Sequence, residues 1–351
     1  MNLLPLNQLV PGMVLVSTIR QGEKVLFRGG HTLTQSDINA LKSLGLRSVH
    51  VRSGVHLPFV NEKSQKKAVE EVKNIYLEYE NLTPQTLKVL RDLGQDIVQQ
   101  VMASQDMALH INDLKEFDEY TFRHSVNVTI ISIALGKLMN LREADLFHLA
   151  TGTLLHDIGK MNVPSEILYK RSGLDDKELN EMKRHPEYGL DIVRDRLGGS
   201  PHEWGVVYQH HESIDGSGYP KGKKGDQIHF YSRLVKVADM YDALRSDRPY
   251  KDGWPPHHVM ALLHSPAIKP TLDPDALHAL DALIVRFHEG LQVTLSDGRQ
   301  AEIVDGTKEH RDRPIIRTFA SETSDEQTID LLAHEELLII AVDAKSADTP
   351  L

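Results

Sequence analysis

The 351-residue chain contains no cysteine, which excludes disulfides and every metal site that is built on thiolate ligands. It also lacks any apolar run approaching the ~18 residues of a membrane-spanning helix. Its first residues do not show the basic and then apolar pattern of a secretory leader. We therefore expect a cytoplasmic protein that does not insert into membranes.

The chain also has fewer basic than acidic residues, with 40 Lys and Arg against 50 Asp and Glu, and its net charge is −10. A field of this sign repels nucleic acid and other polyanions, so we expect no nucleic-acid partner. An anionic ligand would need a local concentration of positive charge to bind. The apolar content of 40% is ordinary for a globular protein.

The hydrophobic pattern divides the chain into five parts and predicts a mainly α fold. Residues 1–52 alternate short β-rich segments with one helical segment, which predicts a small α/β unit. The pattern is then helical through a connector at 64–115 and a larger domain at 116–290. After that the period changes to two, which predicts a small β-rich module at 291–343 and a disordered tail at 344–351.

Within the helical part, amphipathic stripes predict individual helices. Thr83 followed by Pro84 is typical of an N-cap and the first helical position, and predicts a helix running past Val101. Four further helices are predicted at 118–139, 141–158, 176–197 and 228–245.

Five histidines and two aspartates recur within about a third of the chain: His124, His156, Asp157, His185, His210, His211 and Asp239. Imidazole nitrogen and carboxylate oxygen suit Fe, Mn, Zn or Ni, and a set without thiolates does not choose among them. Asp157 lies in the middle of the set and is the natural candidate to bridge two ions. Two ions about 3.5–4 Å apart polarise a phosphoryl oxygen and turn a shared water into hydroxide, which predicts in-line attack on phosphorus. The alternative is a set of core polar residues that bond only to one another.

The stretch from about Tyr120 to Tyr250 resembles the HD-GYP branch of the HD-domain phosphohydrolases. The motifs that carry the resemblance are YTFRHS around His124, HDIGK at 156–160, RHPEYG around His185, HHESIDGSGYP at 210–220, VADMYDAL at 237–244 and SDRPYK at 246–251. The resemblance implies an HD-superfamily helical bundle with a buried di- or trinuclear metal site. It also implies cyclic di-GMP phosphodiesterase activity through a metal-bridged hydroxide, giving pGpG and leaving open a further step to GMP.

The resemblance implies a role for each ligand position. It assigns the first metal to His124, His156, Asp157 and Asp239, and the second to Asp157, His185, His210 and His211. Asp157 is shared between the two.

The resemblance also implies contacts with the substrate. Lys160 would place an ammonium beside the phosphate and would act with Asp157 in catalysis. It lies four residues after His156, on the same helical face if the helix persists that far. Arg248 and Lys251 match positions for further phosphate contacts, and Tyr219 of the GYP segment would lie at the rim of the site.

One position departs from the three-metal members of this family, which carry a glutamate four residues before the first histidine. Here that position is Tyr120, and Glu119 is one residue away. One residue on a helix is a rotation of about 100°, which would turn the carboxylate away from the site. We therefore expect two divalent transition-metal ions, with Fe or Mn favoured and Zn or Ni as alternatives.

Two other functions remain open. The chain could be a metallohydrolase of the same type that acts on another cyclic dinucleotide or nucleotide. It could instead be a non-catalytic receptor for cyclic di-GMP, although degenerate members usually lose metal ligands and all seven are present here. The GYP loop leaves room for a protein partner, and a homodimer is also open.

Overall fold

The computed structural model divides into two compact units, Pro58–Arg286 and the two terminal regions Met1–Leu57 and Phe287–Leu351. The residues that it describes are 2–6, 9, 14–15, 19–21, 24–27, 33, 35–44, 46, 48–52, 59–104, 120–170, 172–246, 253–284, 286–287, 290–306, 313–319 and 326–342. The five-part division of the chain remains a prediction. The expected fold class, mainly α with small terminal modules, is confirmed.

The N-terminal region is a small α/β arrangement. Its elements are β1 (Asn2–Pro5), β2 (Val14–Leu15), β3 (Ile19–Gln21), β4 (Lys24–Phe27), α1 (Gln35–Ser43) and β5 (Ser48–Arg52). One antiparallel sheet has the order β1-β5-β2, and β3 pairs with β4 in a separate hairpin. Ile38 and Leu41 of α1 bury their side chains in a local core with Leu15 and Leu33, as expected for an amphipathic helix.

Helices build the larger unit. Their bounds are α2 (Glu62–Leu77), α3 (Pro84–Ala103), α4 (Tyr120–Leu138), α5 (Glu143–Leu154), α6 (Ser165–Leu168), α7 (Asp176–Met182), α8 (His185–Asp191), α9 (Pro201–Gln209), α10 (Phe230–Arg245), α11 (Pro256–Leu263) and α12 (Pro274–Leu283). They share one hydrophobic core that extends from Phe59 to Ile284. The predicted N-cap at Thr83, with Pro84 at the first helical position, is confirmed. Within the described residues, none of these helices has the length and apolar character needed to cross a membrane.

Two of the predicted helices are shorter than expected. The helix predicted at 141–158 ends at Leu154, and a short 3₁₀ helix follows at Ile158–Asn162. The segment predicted as one helix at 176–197 is divided into α7, α8 and a π-turn at Ile192–Arg196. Pro186 explains the first division, because it has no amide hydrogen to continue the ladder from α7.

The C-terminal region is an antiparallel sheet with the order β10-β6-β7-β8-β9. Its strands are β6 (Gln292–Leu295), β7 (Gln300–Asp305), β8 (Ile315–Thr318), β9 (Thr328–Asp330) and β10 (Ile339–Val342). Val293, Leu295 and Ile303 alternate with exposed or half-buried neighbours and lie in a core of their own. The predicted change to period two is therefore visible as side chains that alternate between core and surface.

Candidate metal centre

The structure brings together all seven residues that the sequence singled out as metal ligands. His124 projects from α4, His156 and Asp157 follow the end of α5, and His185 opens α8. The pair His210-His211 follows the end of α9, and Asp239 lies within α10. Six of the seven are buried, and His211 is half-buried. Five separate segments therefore deliver their polar side chains to one place inside the helical core.

The carboxylate of Asp157 lies between two groups of imidazoles. Its Oδ2 faces the Nε2 atoms of His156 at 3.4 Å and His124 at 3.9 Å. Its Oδ1 faces the Nε2 atoms of His185 at 3.4 Å and His210 at 3.9 Å. The described residues contain two sets of candidate ligand atoms that lie within 4.8 Å of one another: His124 with His156 and Asp157, and Asp157 with His185, His210 and His211. We call them the first group and the second group.

Asp239 lies beside both groups. Its Oδ1 is 3.0 Å from Nε2 of His124, and its Oδ2 is 3.9 Å from Nδ1 of His211. Ligand bonds of about 2.1 Å place neighbouring donor atoms about 3.0 Å apart at right angles and about 3.4 Å apart in a tetrahedron. The contacts of 3.0 and 3.4 Å around Asp157 and Asp239 match these spacings, whereas the contacts of 3.9 Å are longer.

Two buried atoms of the cluster have no hydrogen-bond partner in the described part of the chain. They are Nε2 of His156 and Oδ1 of Asp157. Leaving a buried acceptor unsatisfied costs about 1–3 kcal/mol, and more when the group is charged. Since Asp157 Oδ1 faces the second group and His156 belongs to the first, a cation in each group would satisfy both atoms.

Main-chain carbonyls orient three of the imidazoles. Nδ1 of His156 lies 2.8 Å from the carbonyl oxygen of Thr153, and Nδ1 of His185 lies 2.8 Å from that of Met182. His210 makes the same contact with Val207 at 2.9 Å. A proton donated from Nδ1 leaves the Nε2 lone pair free, which is the form that binds a metal.

His124 is oriented differently, by a carboxylate. Its Nδ1 lies 2.7 Å from Oδ2 of Asp242, which is fully buried on α10. The other oxygen of Asp242 accepts hydrogen bonds from Asn127 Nδ2 at 3.1 Å and Ser246 Oγ at 3.1 Å. Asp242 is thus fixed in place and in turn fixes the imidazole.

Burial and neighbouring charges set the protonation of the cluster. Burial lowers the pKa of His185 to about 4, and it also lowers the pKa of His156, His210 and His211. Burial also opposes a charge on His124, but its hydrogen bonds to Asp239 and Asp242 outweigh that effect and raise its pKa to about 10.

The two carboxylates of the cluster remain ionised. Burial would raise the pKa of Asp157, but the Lys160 ammonium and the surrounding histidines hold it well below the usual value. Burial would likewise raise the pKa of Asp239, and the bond from His124 lowers it instead. These anionic oxygens and the neutral imidazoles of His156, His185, His210 and His211 are donors that a divalent transition metal needs, whereas His124 must first lose its proton.

Two glycines permit the close backbone contacts that form the site. A Cβ at Gly159 would overlap the backbone of His185 and Gly189, so glycine lets the 3₁₀ turn pack directly on α8. A Cβ at Gly218 would overlap the backbone at His211 and Ser213. Glycine thus brings Asp157 close to His185, and it brings the GYP segment close to the His210-His211 pair.

Two of the four predicted substrate residues lie beside the cluster in the described part of the chain. Lys160 lies in the 3₁₀ turn rather than on a continued α-helix, so its Nζ contacts Asp157 Oδ2 at 2.6 Å. The ring of Tyr219 stacks on His211, with ring centroids 4.6 Å apart and planes at 24°. Arg248 and Lys251 lie outside the described residues.

Two residues near the cluster were not identified from the sequence. Asp242 lies three residues after Asp239, and this helical spacing could have indicated a second carboxylate on the same side of α10. Glu212 is buried and accepts hydrogen bonds from the backbone amides of Lys221 at 2.8 Å and Lys223 at 2.9 Å. Glu212 therefore fixes the loop that follows the GYP segment.

At position 120, where related three-metal sites carry a glutamate, the ring of Tyr120 stacks on His124 with centroids 5.8 Å apart. Glu119 lies outside the described residues. The stacking places an aromatic ring, rather than a carboxylate, against the first group.

Comparison with known proteins agrees with this geometry. A family model described as HD domain matches residues 103–276. The chain is 30% identical over 367 residues to the cyclic di-GMP phosphodiesterase PA4108 of Pseudomonas aeruginosa, an alignment that spans 93% of this chain and 88% of that protein. It is 33% identical over 161 residues to the 3'3'-cGAMP-specific phosphodiesterase 3 of Vibrio cholerae, spanning 46% of this chain and 35% of the relative. It is 37% identical over 136 residues to the cyclic di-GMP phosphodiesterase response regulator RpfG of Xanthomonas campestris, spanning 37% and 35%. The family match and the buried cluster together indicate that divalent metal ions bind here.

Proposed function

Since the chain belongs to the HD-GYP branch of the HD-domain metal-dependent phosphohydrolases, we propose that it hydrolyses the 3'-5' phosphodiester of cyclic di-GMP to pGpG. A relative that aligns over most of both chains carries this activity in its name. A further step from pGpG to GMP is tested by identifying the products of turnover over time.

One observation carries the proposal: the two oxygens of Asp157 face different groups of imidazoles. His124 and His156 lie on one side, and His185 and His210 on the other. A carboxylate shared in this way would hold two cations next to each other.

We propose two divalent transition-metal ions, Fe or Mn first and Zn or Ni as alternatives. The first group with Asp239 would hold one ion, and the second group would hold the other. When bound, two such ions polarise a phosphoryl oxygen and lower the pKa of a water enough for it to attack phosphorus. Tyr120, in place of a third carboxylate ligand, supports two ions rather than three.

The protein's own side chains would place the substrate. The ammonium of Lys160 lies next to Asp157 and is partly exposed, so it is available to a phosphate that approaches the cluster. Arg248 and Lys251 follow α10 in sequence and are proposed as further phosphate contacts, because guanidinium and ammonium donors pair well with phosphate oxygens. Tyr219 would border the site beside His211.

A second candidate is hydrolysis of 3'3'-cGAMP, which differs from cyclic di-GMP in one base. The similarity to a cGAMP-specific phosphodiesterase over 161 residues supports it. A purely receptor function is less well supported, since all seven ligand residues converge. A protein partner at the GYP loop and a homodimer remain predictions.

The test combines metal quantification with turnover on one anaerobically purified sample. Cyclic di-GMP, 3'3'-cGAMP and cyclic di-AMP are supplied at equal concentration, and products are identified over time. We expect about two metal ions per chain, as in two-metal phosphohydrolases, and fastest turnover of cyclic di-GMP to pGpG.

A histidine variant with a matched control completes the test. His210→Gln removes an imidazole that faces Asp157, and His258→Gln changes an exposed histidine on α11. We expect metal and activity to fall only in H210Q. Turnover that survives complete metal removal would refute the mechanism, and faster turnover of 3'3'-cGAMP would favour the second candidate.

A further inference from the structure

Lys183 is a basic residue beside the metal centre that no part of the proposed mechanism uses. It is the C-cap residue of α7 and lies two residues before His185. Its Nζ lies 5.7 Å from the centroid of the Tyr219 ring, within the range of a cation–π contact. The described part of the chain offers it no carboxylate partner for an ion pair.

Three other cations near the site each have a carboxylate partner. Lys160 contacts Asp157 at 2.6 Å, Arg184 contacts Glu181 at 3.1 Å, and Lys221 contacts Glu187 at 3.3 Å. An aromatic face holds an ammonium in place but uses none of its hydrogen-bonding capacity toward anions. Lys183 is therefore positioned while its donors remain available.

Tyr219 fixes where this ammonium lies relative to the cluster. Its ring stacks on His211 at 4.6 Å and meets His185 edge-on at 6.4 Å. Both imidazoles belong to the second group. Lys160, in contrast, contacts Oδ2 of Asp157, the oxygen that faces the first group. The two lysines are thus associated with different sides of the bridging carboxylate.

A cyclic dinucleotide carries two phosphodiester anions, and only one can be at the cluster during cleavage. The other approaches a protein of net charge −10 and needs a local counter-charge. We infer that Lys183, held over the ring of Tyr219, binds the phosphate that is not being cleaved. This inference rests on the proposed function and adds a substrate-binding residue to it.

The experiment measures the affinity of metal-loaded full-length protein for a phosphorothioate analogue of cyclic di-GMP that resists hydrolysis. Lys183→Gln removes the charge, and Lys183→Arg keeps it. Lys177→Gln removes the same charge from an exposed position in the first turn of α7 and serves as the matched control. Isothermal titration calorimetry gives Kd for each protein.

We expect K183Q to raise Kd about tenfold, as for loss of a charge-assisted hydrogen bond, and K183R to stay within about twofold of wild type. K177Q should bind like wild type. The kcat/KM for bis(p-nitrophenyl) phosphate, which carries a single phosphodiester, should fall by a much smaller factor in K183Q than the affinity for the cyclic analogue. A Kd in K183Q equal to that in K177Q would overturn the inference. The inference would also be overturned if K183Q lowered the affinity for the cyclic analogue and the kcat/KM for bis(p-nitrophenyl) phosphate by the same factor. Lys183 would then act on the metal centre itself. Failure of wild type to cleave cyclic di-GMP would instead contradict the proposed function, and the Kd comparison would still report on Lys183.

Discussion

The two groups of imidazoles share Asp157 but are supported in different ways. In the second group, His185 and His210 are oriented by main-chain carbonyl oxygens. In the first group, a main-chain carbonyl likewise orients His156, but His124 is oriented by the side chain of Asp242. A main-chain carbonyl cannot be removed by substitution, whereas a carboxylate side chain can. Substitution should therefore disturb metal binding in the first group more easily than in the second.

The same difference appears in protonation. Burial lowers the pKa of His185 to about 4, so this imidazole is neutral near pH ~7 and ready to bind a metal. His124 has its pKa raised to about 10 by Asp239 and Asp242, against the effect of burial. A cation that binds in the first group must displace that proton, while the second group has no such requirement. This comparison predicts that the second group fills first when metal is limiting.

The largest expected effect comes from the residue that the groups share. Asp157→Ala removes the oxygens that face both groups, so we expect metal content to fall in both and activity to fall by more than ~100-fold, beyond the usual cost of a supporting residue. Metal analysis and cyclic di-GMP turnover measure this. A variant that keeps a full metal complement would show that Asp157 is not a bridge.

A smaller effect, confined to the first group, is expected from Asp242→Asn. The variant keeps the shape of the side chain but removes the charge that orients His124, which typically costs about 10–100-fold in metal affinity or activity. At the lowest metal concentration that fills both groups of wild type, we expect D242N to bind one ion fewer per chain while its second group keeps its ion. Asp191→Asn, at an exposed position on α8, is the control. Equal loss of metal from both groups would show that Asp242 does not support the first group selectively.

The sequence predicted the residues of the cluster better than their supports. Ligand spacing and the resemblance to HD-GYP proteins identified seven positions that the structure brings together. The spacing from Asp239 could have indicated a second carboxylate at Asp242, but its contact with His124, 118 residues away along the chain, leaves no local signal. The role of Lys183 depends on a ring from another segment, Tyr219, and is equally invisible in the sequence.

Helix boundaries near the site were also predicted less accurately than the ligand residues. The hydrophobic stripe continues through residues 141–158, but α5 ends at Leu154 because the chain must turn to present His156 and Asp157. Tertiary packing at Gly159 decides this turn, and periodicity does not report it.

A further prediction concerns α9, which leads to the second group. Arg91 on α3 makes two hydrogen bonds of 3.0 Å to Glu203, a fully buried carboxylate on α9. Glu203 also accepts the amide hydrogen of Ser200, the N-cap residue of α9. Arg91→Met leaves that charge less well compensated. We expect the free energy of unfolding to fall by about 1–2 kcal/mol, less than for a fully buried pair because Arg91 is half exposed. Urea denaturation measures it.

The double variant R91M/E203Q tests the cause of that loss. The glutamine side chain introduced by E203Q would still accept a hydrogen bond from the Ser200 amide but carries no charge to compensate, so part of the lost stability should return. Metal content at saturating metal should stay at the wild-type level in both proteins. No recovery in the double variant would mean that packing, rather than charge, accounts for the loss.

The smallest predicted effect concerns α10, which carries Asp239 and Asp242 for the first group. His229 caps this helix: its Nδ1 accepts the amide hydrogen of Tyr231 at 3.2 Å, and its Nε2 lies 3.0 Å from Nδ1 of His202. Burial, and then His202, Arg233 and Lys223, lower the pKa of His229 to about 4. The unfolded chain, with a pKa near 6.5, therefore takes up this proton at higher pH than the native state does.

Because the native pKa of His229 is the lower one, acid destabilises the native state at this residue. The stability contributed by neutral His229 is fully present above pH ~6.5, and it is lost as the pH falls through about 4. His229→Asn keeps an N-cap acceptor but cannot titrate. Relative to this variant, metal-free wild type should lose about 1 kcal/mol between these two pH values, a figure reduced because His229 is only half-buried. Calorimetric unfolding at several pH values measures the difference. Parallel curves for the two proteins would show that the cap of α10 does not titrate.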